Sequence, residues 1–254
     1  MSQQEKITVS RFRTMKSPEA RPVVLTAYDH PSAKLLDAAG VDAILVGDSL
    51  ANVIQGKKTT IPVTLDEMIY HAEMVARAVQ RALVIVDLPF PYCQSGPDMA
   101  LAAAVRIVKE TGADAVKIEG GLERTATIEA VVNAGIPVFG HCGLMPQSVL
   151  ARGEYVMERD KNQLLANAQS IEKAGVFAMV LECVPEADAR EVTKMVTIPT
   201  IGIGAGAHCD GQVQVLHDLL GITDSPPKHV RQYANLSTII SEAVAKYCQD
   251  VRNG

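Results

Sequence analysis

Four acids, one amine and one imidazole stand at or just beyond the ends of short apolar runs: Asp48, Asp87, Glu119 and Glu182 with Lys117 and His141. Brought to one place, the acids would repel or neutralise one another unless a cation sat among them. Asp48, Asp87 and Glu119 offer only hard oxygen donors, with no His or Cys pair beside them, and that donor set suits Mg²⁺ or a similar ion. Lys117 and Glu119 are two residues apart in Ala-Val-Lys-Ile-Glu-Gly-Gly, so on a strand both point the same way. They form either a structural ion pair or a site in which the ammonium neutralises a substrate carboxylate or a developing enolate. Glu182 follows the apolar Val-Leu and is expected to be partly desolvated, which raises a carboxyl pKa and makes a better base. A single Asp after a strand is often only a helix cap or turn residue. Recurrence at successive strand ends is what points to chemistry.

The elements that must position these residues follow from the same runs. VVLTAYD (23–29), AILVGDS (43–49), LVIVDLP (83–89), AVKIEGG (115–121), IPVFGHC (136–142), FAMVLEC (177–183) and IPTIGIGAG (198–206) are nearly continuous apolar stretches, as parallel strands buried on both faces require. An eighth strand is expected near Gln212 to His217. Helical periodicity predicts helices at Pro31–Ala39, Leu65–Val79, Asp98–Thr111, Arg124–Ala134, Lys161–Ala174 and Pro185–Met195. Gly40, Gly112, Gly135 and Gly175 each stand where a helix must stop before the next strand. A doubly wound sheet shares this alternation, but about eight βα repeats without a linker favour a closed (β/α)₈ TIM barrel. The expected architecture is an α/β chain in a single domain over residues 1–254, with a short N-terminal extension at 1–20. In a barrel the C-terminal strand ends converge on one face, so Asp48, Ser49, Asp87, Lys117, Glu119, His141 and Glu182 share one candidate site.

Composition narrows the alternatives. With 48% hydrophobic and 21% charged residues in 254, the chain can bury a core. A net charge of -5 gives no general attraction to nucleic acid or anionic lipid, so neither is an expected partner. The start, MSQQEKITVSRFR, has no signal-peptide core, and no stretch reaches the roughly 18 apolar residues of a membrane span; a cytoplasmic protein is expected. Cys93, Cys142, Cys183, Cys209 and Cys248 are scattered without a C-x-x-C pair, which predicts reduced thiols. Cys142 and Cys183 lack the partners a nucleophile needs. Gly202-Ile-Gly204-Ala-Gly206 lacks dinucleotide-fingerprint spacing and is better suited to a tight turn or a close backbone approach.

The ordered strings Leu-Thr-Ala-Tyr-Asp (25–29), Leu-Val-Gly-Asp-Ser-Leu (45–50), Asp-Leu-Pro-Phe (87–90), Val-Lys-Ile-Glu-Gly-Gly (116–121), Gly-His-Cys-Gly-Leu-Met-Pro-Gln-Ser (140–148), Leu-Glu-Cys-Val-Pro (181–185), Ile-Gly-Ile-Gly-Ala-Gly (201–206) and Asp210-Gly-Gln resemble the ketopantoate hydroxymethyltransferase family. The resemblance runs from about residue 7 to residue 235. It implies hydroxymethyl transfer from 5,10-methylenetetrahydrofolate to 3-methyl-2-oxobutanoate, through an enolate stabilised by Mg²⁺, giving 2-dehydropantoate in pantothenate biosynthesis. It further implies Asp48 and Asp87 as direct metal ligands, Glu119 as a ligand through water, Ser49 and Lys117 as contacts to the oxo-acid carboxylate, His141 as a substrate-side group, and Glu182 as the base. A homo-oligomer, a decamer in this family, is the implied assembly. The chain departs from the family pattern at Met145, at Arg152–Arg159 and at Ala207 and His208, which points to an altered lid. A paralogue acting on another 2-oxo acid, and a lyase of the isocitrate lyase or phosphoenolpyruvate mutase kind, are the competing readings. The second would call for a Lys-Cys-Gly-His-like or Asn-rich loop that the sequence does not contain.

Overall fold

A computed structural model describes residues 5–17, 19–153, 157 and 159–254. These fall into two compact units, Met1–Val213 and Gln214–Gly254. Eight parallel strands close into a barrel in sequence order: β1 (Val23–Thr26), β2 (Ala43–Val46), β3 (Leu83–Asp87), β4 (Ala115–Glu119), β5 (Val138–Gly143), β6 (Ala178–Glu182), β7 (Thr200–Ile203) and β8 (Gly211–Gln214). The Gln212 amide donates to the carbonyl of Pro22, just ahead of β1, and helps to close the ring. The helices are α1 (Val9–Arg13), α2 (His30–Ala39), α3 (Leu50–Val53), α4 (Leu65–Ala78), α5 (Pro97–Thr111), α6 (Thr125–Asn133), α7 (Val149–Arg152), α8 (Lys161–Lys173), α9 (Glu186–Met195), α10 (Leu216–Leu219) and α11 (Leu236–Asn253).

The closed (β/α)₈ barrel expected from the alternating runs is the observed fold. Gly40 and Gly112 close their helices in the left-handed conformation, at φ +92° and +75°, and Gly135 and Gly175 also have positive φ. The βα repeat fails once. Residues 204–210 carry the chain from β7 to β8 with no helix between them. The eighth strand begins at Gly211, slightly ahead of its expected place. Four short helices, α1, α3, α7 and α10, and the whole of α11 carried no sequence expectation, and α10 begins inside the stretch expected as the eighth strand; α11 is capped by the Asn235 side chain, which accepts from the Thr238 amide.

Part of the expected N-terminal extension packs into the core. The Ile7 amide donates to Arg81 O, and Phe12 on α1 is fully buried, edge-on to Phe139 and Phe177 with ring centroids 6.3 and 6.0 Å away. Both residues join a cluster with Val24, Ala43, Leu83, Ala115 and Ala178, near the N-terminal ends of the strands. Losing such a ring typically costs about 3–5 kcal/mol. Among the described residues the end of the barrel opposite the polar strand tips is therefore filled. Among the described residues no helix is long and apolar enough to cross a membrane.

Candidate active site

Parallel register brings the polar tips side by side. Asp87 on β3 pairs with Lys117 on β4, Glu119 with His141 on β5, and Gly143 with Glu182 on β6. Asp48 and Ser49 follow β2 at the head of α3. Asp48, Asp87, Lys117, Glu119 and His141 are all buried, and the Glu182 side chain is 23% exposed. The structure thus brings every predicted site residue to one end of the barrel.

Lys117 Nζ donates to Asp87 Oδ1 at 2.8 Å, so its ion pair is across the strands and not with Glu119 as the spacing within β4 allowed. The other Asp87 oxygen accepts the Asp48 amide at 3.0 Å. Ser49 Oγ lies 2.8 Å from the Tyr28 hydroxyl. His141 Nε2 is 2.8 Å from the Leu144 carbonyl, which can only accept, so this nitrogen carries the proton. It also lies 3.4 Å from Glu182 Oε2. Gly143 permits the tight approach of β5 to β6: with φ +101°, a Cβ there would sit 2.3 Å from the Glu182 carbonyl oxygen, which accepts the Leu144 amide at 2.8 Å. Cys183 adopts φ +46°, a conformation costly for a non-glycine residue, and turns the chain just after Glu182.

One ammonium among four carboxylates leaves an excess of buried negative charge. Burial, and then the Asp87 charge, push Asp48 from 3.8 up to about 6, against the pull of Lys117. Burial and the Asp48 charge hold Glu119 well above the carboxylate range. Burial likewise pushes Glu182 to about 7, with Lys117 opposing and Asp48 and Asp87 adding. Burial disfavours the Lys117 charge, but Asp87 and Asp48 outweigh it and keep the ammonium. Burial and Lys117 hold His141 well below its usual value, so the ring is neutral.

Among the described residues no three His, Cys, Asp or Glu side chains converge closely enough to hold a metal by themselves. A hard divalent cation that takes most of its ligands from water and substrate, and one or two from carboxylates, nevertheless fits the oxygen donors and the uncompensated charge. The imbalance has a measurable consequence in the metal-free protein. A carboxyl whose folded pKa is raised binds more protons folded than unfolded, so its stabilisation is lost as pH rises from about 4 through about 6 for Asp48. The change from 3.8 to about 6 corresponds to on the order of 3 kcal/mol. In chelator at pH 8, Asp48→Asn should melt higher than wild type by scanning calorimetry, with the gap closing at pH 5. A variant that melts lower at both pH values would contradict this electrostatic account.

The candidate residues read from the sequence did not include two participants. Gln147 donates to Asp48 and its backbone to Glu119, and Tyr28 holds Ser49; an amide in a loop and a phenol at a strand end carry no periodic or charge signal. Asp29, another polar strand end, is the N-cap of α2, accepting from the Ser32 amide. Burial raises the thiol pKa of Cys142 and Cys183, in keeping with packing roles. The expected lid at 152–159 falls largely on residues 154–156 and 158, outside the described residues.

A family model described as ketopantoate hydroxymethyltransferase matches residues 6–254. A protein of Cytophaga hutchinsonii named 3-methyl-2-oxobutanoate hydroxymethyltransferase is 51% identical over 254 residues, spanning 98% of this chain and 93% of its own length. One of the same name from Salinibacter ruber is 50% identical over 253 residues, covering 98% and 96%. Among solved structures, phosphoenolpyruvate phosphomutase from Streptomyces platensis subsp. rosaceus aligns with a TM-score of 0.64 at 16% identity, over 97% of this chain and 88% of that one. Phosphonopyruvate hydrolase in complex with oxalate and Mg²⁺ also gives 0.64, at 13% identity, over 97% and 87%. At such identities these two structures share the fold alone.

Proposed function

The chain belongs to the ketopantoate hydroxymethyltransferase family, and on that premise we propose that it transfers a hydroxymethyl unit from 5,10-methylenetetrahydrofolate to 3-methyl-2-oxobutanoate, giving 2-dehydropantoate for pantothenate biosynthesis. The observation that carries the reading is the row Asp48, Asp87, Lys117 with Glu119, His141 and Glu182 at the ends of consecutive strands β2 to β6, with a single ammonium among the acids.

In this reading Asp48 and Asp87 would be the direct ligands of Mg²⁺ and Glu119 would act on it through water. The ion, when bound, supplies positive charge that acidifies the C–H bond beside the keto group. Lys117 spends one of its donors on Asp87 and turns the others, with Ser49 Oγ, to the substrate carboxylate. Glu182 takes the C3 proton, which suits a carboxylate whose burial makes it more basic than usual. His141, neutral and donating to Leu144 O, is a poor base and sits beside Glu182 on the substrate side. In the balance the C3–H bond and both C–N bonds of the donor methylene break, the C3–methylene bond and a C–O bond to water form, and tetrahydrofolate leaves with its two nitrogens taking up the C3 proton and one proton of the water.

The test is carbon transfer with isotopically labelled methylenetetrahydrofolate. Label in 2-dehydropantoate is expected. A protein that exchanges the C3 hydrogen but transfers no label keeps the enzyme class and loses the donor, and one that prefers another oxo acid is a paralogue.

A homo-oligomer, as in the family's decamers, is the proposed assembly. Its support lies on α11, where Ile240, Val244, Tyr247 and Val251 recur at helical spacing and are each more than half exposed. A monomer in sedimentation velocity would remove it. The cytoplasm is the proposed compartment, in keeping with five cysteines of which none is disulfide-bonded among the described residues.

A further inference from the structure

Gln147 lies in the short turn Pro146–Ser148 after β5, is only 6% exposed, and reaches across three strand ends. Its side-chain nitrogen donates to Asp48 Oδ2 at 3.0 Å and to the Leu88 carbonyl at 2.9 Å. Its side-chain oxygen accepts from Gln94 Nε2 at 3.0 Å, and its backbone amide donates to Glu119 Oε1 at 3.0 Å. The orientation of this amide is fixed by chemistry. The Leu88 carbonyl can only accept, so the face of Gln147 that meets it must be the NH₂ group. The same NH₂ group meets Asp48, and Gln94 supplies the donor that the opposite, oxygen face needs. Asp48 Oδ2 is therefore held as an acceptor in one orientation.

We propose that Gln147 is a positioning residue for the divalent cation: it fixes the rotation of the Asp48 carboxylate, while its backbone anchors Glu119. The inference rests on the metal-dependent reading above. It assigns to an uncharged residue the role that partners behind metal ligands play elsewhere, where their loss typically lowers metal affinity 10- to 100-fold.

Gln147→Met keeps side-chain length and the backbone amide on Glu119, and removes the donor to Asp48 and Leu88 O together with the acceptor for Gln94 Nε2. Binding of Mn²⁺ to the intact protein without substrates, read as loss of the free-ion EPR signal, should weaken by about 10- to 100-fold in this variant. Gln94→Met, which releases the Gln147 oxygen without touching Asp48, should weaken binding by a smaller factor and serves if Gln147→Met does not fold. Affinity within about twofold of wild type in a folded Gln147→Met protein overturns the inference and leaves Gln147 a staple of the loop. If Gln147→Met does not fold, unchanged affinity in Gln94→Met overturns it. Wild type that binds no Mn²⁺ brings down the metal-dependent reading itself.

Discussion

Glu182→Gln should lose exchange of the C3 hydrogen of 3-methyl-2-oxobutanoate in D₂O by a factor on the order of 10² or more, because general-base removal typically costs that much. Exchange isolates the first half of the reaction: it needs the oxo acid, the cation and the base, and no folate. The amide is nearly isosteric and should keep the β6 end in place, since the Glu182 backbone carbonyl, which holds the Leu144 amide, is unchanged. Cation affinity should therefore persist. The pH profile gives a second readout. Only the ionised carboxylate accepts a proton, so wild-type exchange should fall as pH drops, with the midpoint between the ordinary 4.5 and about 7, nearer the lower value when a cation offsets the charges of Asp48 and Asp87. Exchange in Glu182→Gln as fast as wild type would move the base elsewhere. His141 would be the next residue to test through its Nδ1 lone pair, although burial and Lys117 hold its basicity well below that of an ordinary imidazole.

Asp48→Asn or Asp87→Asn should each reduce turnover by on the order of 10³ or more, since a bound cation contributes several kcal/mol at the developing charge and each factor of ten is about 1.4 kcal/mol. Exhaustive chelation of wild type should do the same, reversibly. Full activity after metal removal would end the metal-dependent reading. The two variants should differ in stability. Asp48→Asn removes one of several crowded acids and should stabilise the metal-free fold at high pH, whereas Asp87→Asn deprives buried Lys117 of its partner and should destabilise it, since an unpaired buried charge is costly. Loss of turnover with a gain in stability at Asp48 would mark a residue whose charge is kept for function at the expense of the fold.

The barrel was legible because its determinants are local and repeated. Strands such as Leu83–Asp87 and Ala115–Glu119 are unbroken apolar runs ended by one polar side chain, and glycines such as Gly40 stop the helices where a left-handed residue is needed. Residue type and position at the strand ends were enough to place Asp48, Asp87, Glu119 and Glu182 on one face, because parallel strands of a closed barrel all end there. The sequence by itself also placed the chain in its family, through strings whose order and spacing are specific.

Pairing, protonation and support were decided only in three dimensions. Strand neighbours in space determine that Lys117 meets Asp87 and not Glu119, since residues two apart on one strand are farther from each other than register partners across it. The depth of burial fixes which acids are hard to ionise. Phe12, in a segment that read as an extension, fills the far end of the barrel because the inward faces of several strands leave an apolar space that no single strand can fill. Gln147 reaches Asp48 across 99 residues of sequence, and an amide shows neither charge nor period. Its role exists only once the turn after β5 folds over the ends of β2 and β3.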